Sequence, residues 1–157
     1  MRTHRPFATA RVAVMAFAIG NLGTPAPQPL RPDPTKTPGD AAPLTEQEVC
    51  QRNYVARQVL AETKRAVFAE YGITTSTPGD YEIDHLISLE LGGSNSIRNL
   101  WPQSYLTSPW NAHVKDALEN RLHKLVCVDK TISLQTAQRA IATDWMAAYR
   151  TYVRRYP

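Results

Sequence analysis

The chain has 157 residues, a length that favours a single folded domain. Its hydrophobic fraction of 43% and charged fraction of 20% fit a globular protein and exclude a wholly disordered chain, a coiled coil or a fibrous repeat. The formal net charge is +4, but residues 1–43 carry five basic and two acidic side chains, whereas residues 44–157 carry thirteen and twelve. Because most of the excess lies outside the expected folded unit, it is weak evidence for a polyanionic partner.

The N-terminus has the layout of a secretory signal peptide. Residues 1–11 carry three arginines and no acidic side chain, and Val12–Gly20 is a continuous apolar run. This run is short for a transmembrane helix, which needs roughly 20 apolar residues. We therefore predict a signal peptide over residues 1–23 and a secreted or periplasmic protein without stable membrane insertion after cleavage. The alternative is an uncleaved leader that tethers the protein to a membrane.

A proline-rich segment follows the leader. Residues 24–43 contain seven of the twelve prolines. Since proline fixes φ and removes a hydrogen-bond donor, we predict an extended, unpacked tether here. The folded domain is then expected over residues 44–157.

The two cysteines of the chain, Cys50 and Cys127, both fall inside the expected domain. They lack the spacing of a structural zinc site. In an exported protein the natural interpretation is one disulfide bond, and the alternative is a pair of buried free thiols.

Capping and turn signals predict the elements of the domain. Thr45 followed by Glu48 is a capping-box pattern, so a helix should begin there and continue, with or without an interruption, to Tyr71, where Gly72 stops it. The later elements are a strand over 81–87, a loop at 92–95, a short strand over 99–101 stopped by Pro102, a helix opened by Ser108 and Pro109 that runs to about residue 126, and a last helix capped by Ser133.

One segment carries a recognisable motif. In the sequence YEIDHLISLELGGSNSIRNLWPQ (residues 81–103), Asp84 and His85 lie near the end of a strand, and Asn99 follows His85 by fourteen residues after a Gly-Gly-Ser-Asn loop. Together with the helix that follows, residues 81–115 resemble the HNH endonucleases, the ββα-metal nucleases. The whole domain also looks like a group of exported bacterial HNH-like proteins. The resemblance implies an α+β fold: a small ββα hairpin–helix core within a mostly helical single domain.

The resemblance also implies a chemistry. Phosphodiester hydrolysis needs a base for the attacking water, and a histidine with a pKa near ~6.5 can accept a proton at neutral pH. The family pattern makes His85 this base, Asp84 a ligand of Mg²⁺ or Mn²⁺, and Asn99 a residue that bonds across the loop and positions the histidine. We therefore expect an exported, metal-dependent endonuclease whose partner is DNA, or RNA. The sequence identifies no inhibitor protein.

The family takes one further metal ligand from the helix after the hairpin, and at this ligand the sequence departs from the family pattern. The usual ligand position falls on Ser108, which looks like the helix cap, so Asn111 and His113 are the candidates. These two point about 200° apart and cannot face the same metal. Asn111 and Lys115 flank the apolar stripe on the side that faces the hairpin. We therefore expect Asn111 as the metal ligand, with His113 as the alternate, and Lys115 next to a phosphate. The stripe itself is Val114, Leu118, Leu122 and Leu125.

Structural alternatives exist for these residues. His85 falls on the apolar face of its strand, so strict alternation would make it a core histidine and Asp84 a solvent-facing carboxylate. A nuclease site requires the strand to break near His85. Asn111 could simply cap its helix. At the level of function, the alternative is a non-catalytic exported binding domain that keeps the HNH-like scaffold.

Overall fold

A computed structural model describes residues 31–51, 56–74 and 79–153. The elements are α1 (Glu46–Cys50), α2 (Ala61–Glu70), β1 (Tyr81–His85), β2 (Leu100–Ser104), α3 (Ala112–Cys127) and α4 (Leu134–Tyr152). Helices thus surround one two-stranded sheet, which confirms the α+β class over the described ranges. In these same ranges no helix is both long and apolar enough to cross a membrane. The predicted leader lies outside the described residues.

The hairpin extends further than the sequence predicts. Strands β1 and β2 are antiparallel, with Ile83 opposite Pro102, and the Tyr105 N–H donates to the Asp80 carbonyl just beyond the ladder (3.0 Å). Because hydrogen-bonded pairs alternate along such a ladder, Pro102 falls in a pair that requires no N–H. The predicted stop at Pro102 is therefore wrong, and β2 continues to Ser104.

Strand β1 ends at His85, two residues before the predicted end at Ile87. Asp84 and His85 are both buried, with 6% and 2% of their surface exposed. The alternative in which Asp84 faces solvent is therefore wrong, because α3 and the loop after β1 cover both faces of the strand at this end.

Helices α3 and α4 pack against each other and against the hairpin. The shared core contains Trp101, Trp145, Leu118, Leu122 and Ile141, among other apolar side chains. A disulfide bond joins Cys50 in α1 to Cys127 at the end of α3, so the predicted pairing is confirmed.

The N-terminal helices form as two separate elements. Thr45 caps α1 through a capping box with Glu48, as expected, and Gly72 follows the C-cap of α2 with a φ of 69°. The sequence left open whether this helix is interrupted, and an interruption is present, because the described residues 56–60 between the two elements are not helical.

The predicted unpacked tether is wrong for residues 31–43, which pack against the domain. Thr37 is buried, and its hydroxyl donates to the Leu100 carbonyl (2.8 Å). The Asp40 N–H donates to the side-chain oxygen of Asn99 (3.3 Å). The segment turns after Asp33, whose carbonyl accepts from the Lys36 and Thr37 N–H groups, and its polar groups supply the bonds that attach it to the domain.

Candidate active site

The predicted catalytic segment surrounds a small cavity. Its volume is about 190 Å³, and it lies where the end of β1, the following loop and α3 meet. The lining residues are Arg57, Asp84, His85, Ser88, Leu89, Glu90 and Glu119.

The loop determines which ring nitrogen of His85 carries the proton. The Asn95 side-chain NH₂ donates to the Ala56 carbonyl (2.9 Å), which turns its amide oxygen toward His85 Nε2 (3.0 Å). Because an amide oxygen only accepts hydrogen bonds, Nε2 must carry the proton and Nδ1 keeps a free lone pair. Within residues 31–51, 56–74 and 79–153, no hydrogen bond reaches Nδ1.

The surroundings of His85 favour its neutral form. Burial lowers the pKa of the imidazole, and the Asn95 hydrogen bond and the Asp84 carboxylate only partly oppose that effect. A neutral imidazole with an open Nδ1 can accept a proton from water. The residue is thus both buried in the strand end and chemically able to act as a base.

Asn99 ties the loop together, and its bonding across the loop is as predicted. Its amide oxygen accepts from the Ile87 N–H (2.9 Å), and its NH₂ donates to the carbonyls of Ile87 (3.0 Å) and Ser94 (2.9 Å). The loop closes so tightly that a Cβ at Gly93 would lie 1.8 Å from the Ile87 carbonyl oxygen. Asn99 therefore holds both ends of the segment that presents Asn95 to the imidazole.

On the other face of the strand end lies a group of charges that we call the Lys115 cluster: Lys115, Asp84 and Glu119. The Lys115 ammonium lies 2.6 Å from Asp84 Oδ2, bonds the Glu119 carboxylate, and donates to the His85 carbonyl at 2.8 Å. The Trp101 indole also donates to Asp84 Oδ2 (3.3 Å). The cluster thus joins α3 to both strands of the hairpin.

The two ends of the Lys115–Glu119 pair respond differently to burial. Burial alone would lower the pKa of Lys115, but the charges of Asp84 and Glu119 outweigh it and raise that pKa above its ordinary value. Burial outweighs the opposing effect of the ammonium and raises the pKa of the Glu119 carboxyl above its ordinary value. The ammonium therefore stays charged at neutral pH.

Three helix predictions need correction. Lys115 is fully buried and bound within the cluster, so it is not available to a phosphate. Helix α3 begins at Ala112, and the Asn111 side chain caps it by accepting from the Val114 N–H (3.2 Å), which commits it to the helix rather than to a metal. The side chain of the alternate ligand, His113, is 73% exposed, and this residue is not among those that line the cavity.

Several residues at the site were not singled out from the sequence. Glu119 had a usable signal, because it follows Lys115 by four residues and shares its helix face. Asn95 stands inside the quoted Gly-Gly-Ser-Asn loop. Ser88 lines the cavity and stands three residues after His85, inside the quoted segment. Arg57 donates to the Ile83 carbonyl (2.6 Å) and reaches the site through tertiary packing that leaves no local signal.

The described residues do not fit a divalent metal. No group of three or more His, Cys, Asp or Glu side chains that could hold a metal occurs in the part of the chain that the structure describes. The expected hairpin ligand, Asp84, already binds an ammonium, and the expected helix ligand, Asn111, is a cap. No step of the chemistry is therefore assigned to Mg²⁺ or Mn²⁺.

Comparisons with known proteins return no match: no family model fits the chain, and no curated protein or solved structure is significantly similar to it. The functional argument therefore rests on the residues of the site.

Proposed function

We propose that the protein is an HNH-like endonuclease that hydrolyses phosphodiester bonds of DNA, or of RNA, with His85 as the general base. The observation that carries this proposal is a His85 imidazole that lines the cavity, with Nε2 bonded to Asn95 and with Nδ1 bonded to none of the described residues. The order of a strand ending in Asp84-His85, a loop tied by Asn99, a second strand and a helix supports the resemblance. In the reaction, Nδ1 accepts the proton of the water that attacks phosphorus. The P–O bond to one strand end breaks, and the leaving oxygen takes a proton from solvent.

Two further side chains fit a phosphate in the cavity. Arg57 is exposed and uses one nitrogen for the Ile83 carbonyl, which leaves further donors of its planar guanidinium for phosphate oxygens. Within the described residues, the Ser88 hydroxyl is buried without a hydrogen-bond partner, so a bound oxygen would satisfy it. We assign phosphate binding to these two residues in place of Lys115.

We also propose that the protein acts outside the cytoplasm, in the periplasm or the medium. The Cys50–Cys127 disulfide supports an oxidising compartment, and the signal-like N-terminus agrees with export.

One observation favours a second candidate function. Because the Lys115 ammonium binds the carboxylate that would hold a metal, the scaffold is compatible with a non-catalytic exported domain that binds its partner without turnover. The two candidates differ in whether the purified protein cleaves nucleic acid.

The test is cleavage of plasmid DNA and of RNA by the purified protein, with divalent metal and with chelator. We expect His85→Ala to reduce the rate by about two to four orders of magnitude, the usual contribution of a general base. His113→Ala is the matched control, since that exposed histidine lies away from the cavity, and it should cut at the parent rate. Equal, measurable rates for His85→Ala and the parent would overturn His85 as the base. A parent that never cuts would overturn the nuclease and leave the binding-domain candidate standing.

A further inference from the structure

Three oxygen atoms converge on one buried nitrogen at the end of β1. The Lys115 ammonium contacts Asp84 Oδ2 (2.6 Å), the His85 carbonyl oxygen (2.8 Å) and Glu119 Oε1. None of the Lys115 surface is exposed. An ammonium has three donors, so this arrangement satisfies all of them without water.

The dimensions of this oxygen cage suit an ammonium. Mg²⁺ requires oxygen ligands at about 2.0–2.1 Å in octahedral geometry, and Ca²⁺ takes them at about 2.3–2.6 Å. The Asp84 and His85 oxygens lie 2.6 and 2.8 Å from the nitrogen, so these two are too distant for Mg²⁺ and lie at or just beyond the upper end of the Ca²⁺ range. The donors themselves, two carboxylates and one carbonyl, are the hard oxygens that such cations prefer.

The cluster also places the residue proposed as the base. Lys115 bonds the carbonyl of His85 and the side chain of Asp84, the two consecutive residues that end the strand. An ammonium at this point fixes the backbone from which the imidazole projects. The buried carboxyl groups of Asp84 and Glu119 favour a cation at this position, and the Lys115 ammonium is that cation.

We propose that the Lys115 ammonium is the permanent cation of this site and occupies the position that a divalent metal would otherwise take, so that the folded protein needs no divalent metal. Lys115 is then a positioning residue. The inference does not depend on the proposed function, since it concerns what occupies the oxygen cage and not what the cavity binds.

The test is titration of the purified protein and its variants with Mg²⁺, Mn²⁺ and Ca²⁺, followed by calorimetry and by thermal unfolding. The parent should bind none of them, and its Tm should not change. Lys115→Ala leaves two carboxylates and a carbonyl around an emptied position, so Ca²⁺ at about 10 mM should bind and raise the Tm of this variant by several degrees. Lys124→Ala is the matched control, because Lys124 is an exposed lysine of the same helix and should gain no metal response.

Each outcome decides the proposal. Binding of any of the three metals by the parent that disappears in Asp84→Asn would overturn it, as would a folded Lys115→Ala variant that ignores Ca²⁺. If Lys115→Ala does not fold by itself, recovery of its helical circular dichroism by Ca²⁺ supports the proposal, and a variant that stays unfolded at the same concentration contradicts it.

The cleavage assay separates this inference from the proposed function. Cleavage that continues in chelator agrees with both. A parent that binds metal and cuts only with it would overturn the role of Lys115 and leave that of His85 intact. A parent that never cuts but shows the expected metal responses would overturn only the nuclease.

Discussion

Two regions meet at the end of β1, and they are stabilised in opposite ways. On the α3 side, Asp84 belongs to the Lys115 cluster, in which opposite charges are buried against each other. On the loop side, the next residue, His85, contacts the neutral amide of Asn95, which the loop tied by Asn99 presents. Successive strand residues point to opposite faces, so two adjacent positions serve different environments. The charged side joins α3 to the hairpin, and the neutral side holds the imidazole that we propose as the base.

The largest effect should come from removing the charge that joins α3 to the hairpin. Lys115→Ala leaves the carboxylates of Asp84 and Glu119 buried without a cation, which should lower the free energy of unfolding by about 3–5 kcal/mol. Denaturant unfolding measures this, in metal-free buffer. Lys124→Ala, whose lysine makes an exposed ion pair with Asp129, should cost less than about 1 kcal/mol. Similar losses for the two variants would show that the cluster does not hold the scaffold.

On the neutral side, the corresponding change is Asn99→Ala. It strips hydrogen bonds from the buried N–H and carbonyl of Ile87 and from the half-buried carbonyl of Ser94. Each unsatisfied buried group costs roughly 1–3 kcal/mol, so the two groups of Ile87 alone give an expected loss of about 2–6 kcal/mol. The control is Asn120→Ala, since Asn120 is exposed and bonds only the Asp116 carbonyl among the described residues. A loss as small as that of the control would mean that the loop is held without Asn99.

Substitution of Asn111 tests whether this residue is a helix cap or a metal ligand. Asn111→Ala should destabilise the protein by about 1 kcal/mol, the usual value of an N-cap, because the Val114 N–H loses its acceptor. Thermal unfolding with and without Mg²⁺ should give the same difference from the parent. A variant of parental stability that has lost a metal response would restore Asn111 as a ligand.

The smallest expected effect is on pH dependence, and it concerns the neutral side alone. Burial lowers the pKa of His85 below its ordinary value of 6.5, so its neutral form persists to lower pH than in an exposed histidine. The acid limb of the cleavage rate should therefore lie below pH 6.5. In the same window the unfolded chain takes up a proton before the folded protein does, so stability should fall as pH falls. An acid limb above pH 6.5 would contradict the lowered pKa.

Local patterns predicted much of this molecule. The capping box at Thr45, the glycine stop at Gly72 and the loop closed by Asn99 depend on residues within a few positions of one another, or on a motif with fixed spacing. The disulfide was predicted from two cysteines in a chain with a signal-like N-terminus. These features depend on short-range patterns or on residue type alone, so they can be predicted from a single sequence.

The errors arose where distant segments meet. The packing of Thr37 on Leu100 depends on a contact across 63 positions, which no local pattern in a proline-rich segment reveals. Pro102 remained within a strand because its pair required no donor, and that depends on register. Lys115 was correctly placed on the hairpin side of α3, but its burial depended on Asp84 and Glu119 together.

The most direct test of the central claim is the protonation state of His85, measured by long-range ¹H–¹⁵N NMR of the imidazole during a pH titration. The ring should be neutral at pH 7 with its proton on Nε2, as the Asn95 oxygen requires, and its pKa should lie below 6.5. His113, which is exposed, provides an internal reference in the same spectra. A proton on Nδ1, or a His85 ring that is charged at pH 7, would contradict the assignment of this residue as the base.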